Sequence, residues 1–185
     1  RVSTWNQQDL LKRAAEYFRQ ARKPRTEWKK LDDLTAQLAE FELRCEAGDY
    51  DTAASVLADI DFHYLLLWGH YRLMIDLHGK LQGKISDKNL ARVSVGNLGQ
   101  SLYLTGKIKQ AIINLEEALA MARDAKNRQA ESAWLGNLGL AYAALGDAHK
   151  AIEVHEQALF IAREIGNRRS EEANLGNLVQ NQGTF

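Results

Sequence analysis

The chain repeats itself with a period of forty residues. Laid without a gap against 136–175, residues 96–135 are identical at 17 of 40 positions. The string Gly96-Asn97-Leu98-Gly99 returns as Gly136-Asn137-Leu138-Gly139, Gly106 as Gly146, Ala111 as Ala151 and Ala118 as Ala158. A third copy starts at Gly176 and stops after one helix. Self-similarity at such a period marks a stack of supersecondary units, each too small to bury its own apolar face without a neighbour.

Each unit reads as a pair of helices. In the second copy Leu135, Leu138, Tyr142 and Leu145 recur at three- and four-residue steps, which predicts a helix over about 129–145. Gly146 supplies a stop able to take the left-handed conformation, and Asp147 is a good N-cap for a second helix over about 148–165. Its inward stripe is Ala151, Ile152, His155, Ala158, Leu159 and Ala162, and Gly166-Asn167 ends it. Lys107 stands where the first copy needs that cap, so its second helix should start more weakly. Pro24 is the one proline and strand-like alternation is absent, so the fold expected is all-α. Gly99 and Gly139 fall on the buried stripes, although each interior glycine costs roughly 1 kcal/mol against alanine. The expected compensation is close approach to the small residues Ala111, Ala118, Ala151 and Ala158 of the facing helix.

Leu138-Gly139, Tyr142, Gly146, Ala151 and Ala158, with Leu98-Gly99, Gly106, Ala111 and Ala118 before them, stand at the spacing of the tetratricopeptide repeat. The unit resembles the forty-residue, kinesin-light-chain-like variety. It departs from the usual pattern in having Arg123 and Arg163 where many repeats place a proline, and Leu102 where tyrosine is usual. The resemblance covers about 88–180, with two full repeats and the first helix of a third. It implies a right-handed superhelical solenoid of antiparallel helix pairs whose first helices line a concave side.

Asn97, Asn137 and Asn177 occupy one equivalent place, a residue before the buried leucine. Asparagine is poor in helix interiors, so its recurrence has two readings. One is a structural bond to a neighbouring helix, carried along by duplication. The other is a ladder of amides, each with a donor and an acceptor, gripping the backbone of a bound peptide. The resemblance favours the second, because asparagines matching these positions in kinesin light chain and its relatives bind ligand backbone. Val93, Gln100, Leu104, Ala133, Leu140 and Ala144 lie three, four or seven residues away and are the expected groove floor. Trp134 replaces small or polar residues (Ser94, Asn174) at matching places and is a candidate exposed anchor. Arg123, Arg128, Arg163, Arg168 and Arg169, with Glu131 and Glu171, cluster at the turns, where ion pairs between units are the ordinary expectation. The expected function is therefore a non-enzymatic scaffold that binds a protein or peptide segment, another part of the same full-length protein included.

Upstream the pattern fades. Gly48-Asp49 looks like a helix stop and cap with Ala53 as a small inward residue, a degenerate hairpin with helices at about 26–46 and 49–59. The stretch 62–82 reads as one bulky buried helix, and 7–22 as an opening helix broken at Lys23-Pro24. Residues 1–87 thus form an N-terminal helical region ahead of the repeats at 88–185. The string "LLKRAAEYFRQARKPRTEWKKLDDLTAQLAEFE" with "YLLLWGHYRLM" is similar to segments joining the nucleotide-binding part of bacterial NB-ARC (STAND-type) signalling ATPases to their C-terminal repeats. That resemblance implies an alternative function, a regulatory arm controlling autoinhibition or assembly of such an ATPase. The opening on Arg1 rather than Met fits a piece of a longer protein.

Lys and Arg together number 24, as do Asp and Glu, so the formal charge is zero, which argues against a dedicated nucleic-acid binder. The longest apolar patch, "YLLLW" at 64–68, is far too short to span a bilayer. Cys45 is the one cysteine; it excludes an intrachain disulfide and suits a reducing, cytoplasmic setting. No cofactor or metal is expected. "GKLQGKIS" at 79–86 has three residues between its glycines rather than four, and Ile85 where a phosphate loop needs Ser or Thr. His63, His70 and His78, seven and eight apart, are too far separated along a helix to share a metal. His155 is expected in the core and His149 at the surface, Cys45 as a buried small hydrophobe, and Trp5, Trp28 and Trp68 are dispersed. Leu175, Leu178 and Val179 make an apolar face on the last helix, through which a second copy could associate.

Overall fold

The computed structural model describes residues 6–182, so Trp5 and the last three residues lie outside the described part. Among the described residues there is no strand, and the order of helices is α1 Gln7–Gln20, α2 Thr35–Glu46, α3 Tyr50–Ala58, α4 Tyr71–Leu81, α5 Lys88–Leu104, α6 Ile108–Asp124, α7 Arg128–Leu145, α8 Ala148–Glu164 and α9 Arg168–Gln182. The chain divides into two compact units, Arg1–Ser94 and Val95–Phe185, with the division inside α5.

In the first unit α1 is opened by Asn6, whose side chain accepts the Asp9 N–H at 2.8 Å, and it ends before Pro24. The helix expected over 26–46 starts only at Thr35. Its first third is two separate 3-10 turns, Arg25–Glu27 and Leu31–Leu34. Local side-chain bonds win over the helix here: the Asp33 carboxylate accepts the Lys29 and Lys30 N–H groups at 3.1 and 3.2 Å and pairs with Lys23 at 2.7 Å. The Lys23 hydrogen bond, helped by those N–H groups, holds its pKa down at about 2. Gly48 does stop α2 with φ +72°, but Asp49 does not cap α3 with its side chain, which is paired to Arg44 at 3.0 Å.

The single helix expected over 62–82 is also two pieces. A π-helical turn, Asp61–Leu66, precedes a reversal at Gly69 (φ +78°), after which α4 begins. Tyr64 stands edge-on to both Trp28 and Trp68, with ring centroids 4.9 and 5.3 Å away, and this cluster anchors the reversal. Phe62 and Leu67 consequently point outward, so the segment is not buried all round. The histidines no longer share one helix: His63 is exposed, while His78 is fully buried.

Two buried polar arrangements hold this unit. Glu40, with no exposed surface, is bound by Arg22 at 2.8 Å and lies 3.8 Å from Arg44. Glu40 thereby ties the segment that follows α1 to α2. His78 Nδ1 is 3.0 Å from the Ser94 hydroxyl, and Asp61 Oδ2 is 3.7 Å from Nε2. The residue types are those of a hydrolytic triad, yet none of the three is more than 6% exposed, so a substrate cannot reach the hydroxyl. Burial pushes the His78 imidazole down to about 3.

The second unit carries the repeats. Gly106, Gly146 and Gly166 stop helices at φ +78°, +88° and +68°, and Lys126 takes the same left-handed turn at φ +53° where the first copy lacks the glycine. Asn127, Asp147 and Asn167 accept the backbone N–H three residues on and so cap α7, α8 and α9. Lys107 makes no such bond at α6, as its side chain dictates. The core gathers Leu115, Leu135, Leu138, Ala141, Tyr142 and the four repeat alanines, Ala111, Ala118, Ala151 and Ala158, each of the four without exposed surface.

The partner of the interior glycines differs from expectation. A Cβ at Gly99 would lie 2.8 Å from Leu115 Cγ, and one at Gly139 only 2.3 Å from His155 Nε2. The glycines therefore seat the large central residue of the facing helix, and the alanines flank that residue rather than meeting the glycines. Gly96 plays the same part between successive repeats, since a Cβ there would fall 2.3 Å from the nearest atom of the Trp134 ring, while one at Gly136 would lie 3.3 Å from the Asn174 amide oxygen.

Gly139→Ala should lower stability by about 1–3 kcal/mol through overpacking, despite its better helix propensity. Gly176→Ala, in the same kind of helix but with nothing within 4 Å of the new methyl, should raise it by up to about 1 kcal/mol. Urea unfolding of the two variants beside wild type reads both signs. His78 gives a pH dependence: its folded pKa lies below the unfolded value of about 6.5, so its stability contribution is complete above pH 6.5. It is lost as pH falls toward 3, at up to about 1.4 kcal/mol per unit. The urea midpoint should drop over that window in wild type, and less steeply in His78→Gln.

Candidate functional site

Helix α7 presents one open face. Ala133, Asn137, Leu140 and Ala144 follow each other at helical steps on it, Ala133 and Ala144 exposed and the other two half-buried. The Asn137 and Asn177 side chains form no hydrogen bond among the described residues, and Asn177 is half-buried on α9. Asn97 differs, being only 6% exposed. The row of three equivalent amides is therefore unequal in access, because the first one is covered. On α5, Gln100 is half-buried and Leu104 exposed, and Val93, in the first unit, is half-buried.

Trp134 corrects an expectation. It is 8% exposed rather than an outward anchor, because its ring occupies the space left by the missing side chain of Gly96. Its indole N–H is buried without a hydrogen-bond partner. At the equivalent place Asn174 accepts from His155 Nδ1 at 3.0 Å and donates to Ser170 O at 2.7 Å. This assigns the proton to Nδ1, and burial lowers the His155 pKa. The last helix is corrected too: Leu178 is packed inward, so only Leu175 and Val179 form the open apolar strip of α9.

The turns between successive repeats carry a repeated clasp. Arg123 binds Glu131 at 3.0 Å, and forty residues on Arg163 binds Glu171 at 2.8 Å. Arg128 bridges Glu131 and Glu164. Arg168 and Arg169 form no ion pair among the described residues. These contacts are spent on the stack itself.

A groove that sequence reasoning missed lies on another side of α7. It is a cavity of about 430 Å³ between α6 and α8, floored by Leu119, Leu135, Leu138 and Val154, with Glu116, Asp124, Arg123 and Gln157 around it. The Tyr142 hydroxyl donates to Glu116 at 2.6 Å; burial, then that bond, pushes Tyr142 up to about 12. Leu135, Leu138 and Tyr142 read in sequence as a fully covered stripe, and nothing in their spacing says that two second helices leave a gap above it. Among the described residues, no helix is long and apolar enough to cross a membrane, and no group of three or more His, Cys, Asp or Glu is placed to hold a metal ion.

Residues 89–164 match the family model of the tetratricopeptide repeat. Among solved structures, the chain is similar to a single-substitution variant of nearly identical TPR-like repeats from a protein assigned as a kinesin light chain of Podosopora anserina. That match has a TM-score of 0.64 and 14% identity, and covers 97% of this chain and 90% of the other. A second structure, BtubC (BKLC) from P. vanneervenii, aligns over 96% of this chain and 90% of its own at 18% identity, with a TM-score of only 0.40. A search of curated proteins yields no significant match. Neither the family model nor these structures carries the NB-ARC likeness of the upstream segment. Tetratricopeptide repeats generally mediate protein–protein interaction. The forty-residue copies, their glycine-seated helix pairs and the family match agree: residues 89–164 of this chain are a stretch of tetratricopeptide-like repeats, matched by that family's model.

Proposed function

We propose that the open faces of α7 and α9 bind an extended peptide segment of a partner protein, gripped through its backbone by the Asn137 and Asn177 amides. The observation that carries this reading is the pair of equivalent amides, partly accessible and without internal partners, set among small or apolar neighbours. A free carboxamide can donate and accept at once, which suits a peptide group and is indifferent to the ligand's side chains. Ala133, Leu140 and Ala144 supply a shallow floor that tolerates many sequences. Asn97, being covered, contributes to the stack more than to the ligand.

The same reading makes the protein a scaffold rather than an enzyme, acting in a reducing cytoplasm. In support, burial pushes the half-buried Cys45 thiol up to about 11, which keeps it protonated and slow to react. A regulatory arm of a STAND-type ATPase remains the alternative setting; there the face would take another segment of the same full-length protein.

A random peptide library displayed on phage and selected against the purified protein supplies the ligand for the test. Titration of the selected peptide by calorimetry should show roughly 5–150-fold weaker binding to the Asn137→Ala/Asn177→Ala variant, about 1–3 kcal/mol for two hydrogen bonds. The urea midpoint should stay near that of wild type. Equal affinity for the two proteins rejects the amide clamp.

A further inference from the structure

The groove between α6 and α8 has a charge imbalance that defines what it can hold. Its floor is apolar, formed by Leu119, Leu135, Leu138 and Val154. Two carboxylates border it, Glu116 and Asp124, and neither has an ion-pair partner among the described residues. The nearby cations are already engaged. Arg123 binds Glu131 at 3.0 Å and Gln157 at 3.3 Å. Lys150 lies 3.8 Å from Asp147 and 5.2 Å from the centre of the Tyr142 ring. Glu116 is also oriented, because the Tyr142 hydroxyl holds one of its oxygens. The exposed Ile113 continues the same strip of α6 one turn earlier, and Ala120 leaves the middle of the strip open.

The two carboxylates are eight residues apart on one helix, roughly 12 Å along its axis. A helix laid in the groove matches that separation with cations at i and i+7, roughly 10.5 Å apart, and fills the floor with aliphatic side chains at i+3 and i+4 between them. We propose that the α6–α8 groove is a second docking site, for a partner helix carrying two lysines or arginines two turns apart with leucine-like side chains between. Helix-in-groove recognition of this kind takes its affinity from the apolar anchors and its selectivity from the flanking charges. The site is separate from the asparagine face. At roughly 100° per residue, Leu135, Leu138 and Tyr142 project from α7 on the side away from Asn137, so occupation of one face leaves the other open. The proposal does not depend on the amide clamp.

The test uses two labelled synthetic helical peptides of about five turns. One has lysines at i and i+7 around leucines at i+3 and i+4, and the other has glutamates in place of the lysines. Fluorescence anisotropy with the whole chain should show saturable binding of the lysine peptide and none of the glutamate peptide. Asp124→Lys, at an exposed position, should weaken binding at least tenfold, and Ala120→Trp should block it by filling the groove. Asn137→Ala/Asn177→Ala should leave it unchanged. Circular dichroism reports whether each variant is folded, and Asp124→Lys decides if Ala120→Trp is not. Equal binding of the two peptides, no saturation up to about 1 mM, or loss of binding in the asparagine variant each overturns the proposal.

Discussion

The repeat segment depends on one steric relation, a glycine in the first helix of each pair facing the bulkiest central residue of the second. Leu115 presses where Gly99 has no side chain, and His155 where Gly139 has none. Because protein interiors are close-packed, this fixes how near the two axes come, and the flanking alanines can be fully buried only at that distance. The helix-propensity cost of the glycines is local and small, while the contacts they permit run along the whole pair.

The same device, turned sideways, links one repeat to the next. Gly96 receives the Trp134 ring and Gly136 faces the Asn174 amide, so position 134 of one copy and 174 of the next reach back to the preceding first helix. The residues they accompany change in step. Where the second helix carries Leu115 the next unit offers an indole, and where it carries His155 the next unit offers an amide that accepts its Nδ1 proton. An apolar pair and a hydrogen-bonded pair thus occupy equivalent places, the first leaving its indole N–H without a partner and the second joined through the His155 Nδ1 proton. The Arg123–Glu131 and Arg163–Glu171 clasps sit over these joints at the surface, where exposure keeps each worth little.

What could be read from the sequence was whatever a short-range rule controls. The helix pairs, their left-handed glycine stops, the Asp147 cap and the missing cap at Lys107 follow from residue type and spacing, and they stand as expected. One failure was local: within 26–34 the Asp33 carboxylate takes the Lys29 and Lys30 N–H groups, a competition that apolar periodicity does not register. The others came where distant residues decide, as where Trp28 and Trp68 meet across Tyr64 beside the reversal at Gly69. Trp134 was misplaced for the same reason. Its burial is caused by a glycine thirty-eight positions earlier in the chain, which spacing within one helix cannot reveal. At the candidate site, the face of α7 around Asn137 was legible because helical steps alone define it. The groove between α6 and α8 was not, because it belongs to the gap between the second helices of two successive repeats.

The third first helix breaks the steric rule, and that gives α9 a different surface. Val179 stands where Gly99 and Gly139 stand, so its side chain fills the seat that a central leucine or histidine of a facing helix would need. Leu178 keeps its inward place against α8, while Leu175, whose counterpart Leu135 is almost fully buried, remains 39% exposed. A helix packed on α9 in the manner of α6 on α5 or α8 on α7 would collide with Val179 or be held farther out, with weaker contact to Leu175. Glycine in the first two copies and valine in the third therefore separate helices shaped to receive a close partner from one shaped to face something else. Asn177 lies on that same helix but two residues away, on the side shared with Asn137, so the change at Val179 alters how the stack can be covered without altering the amide row.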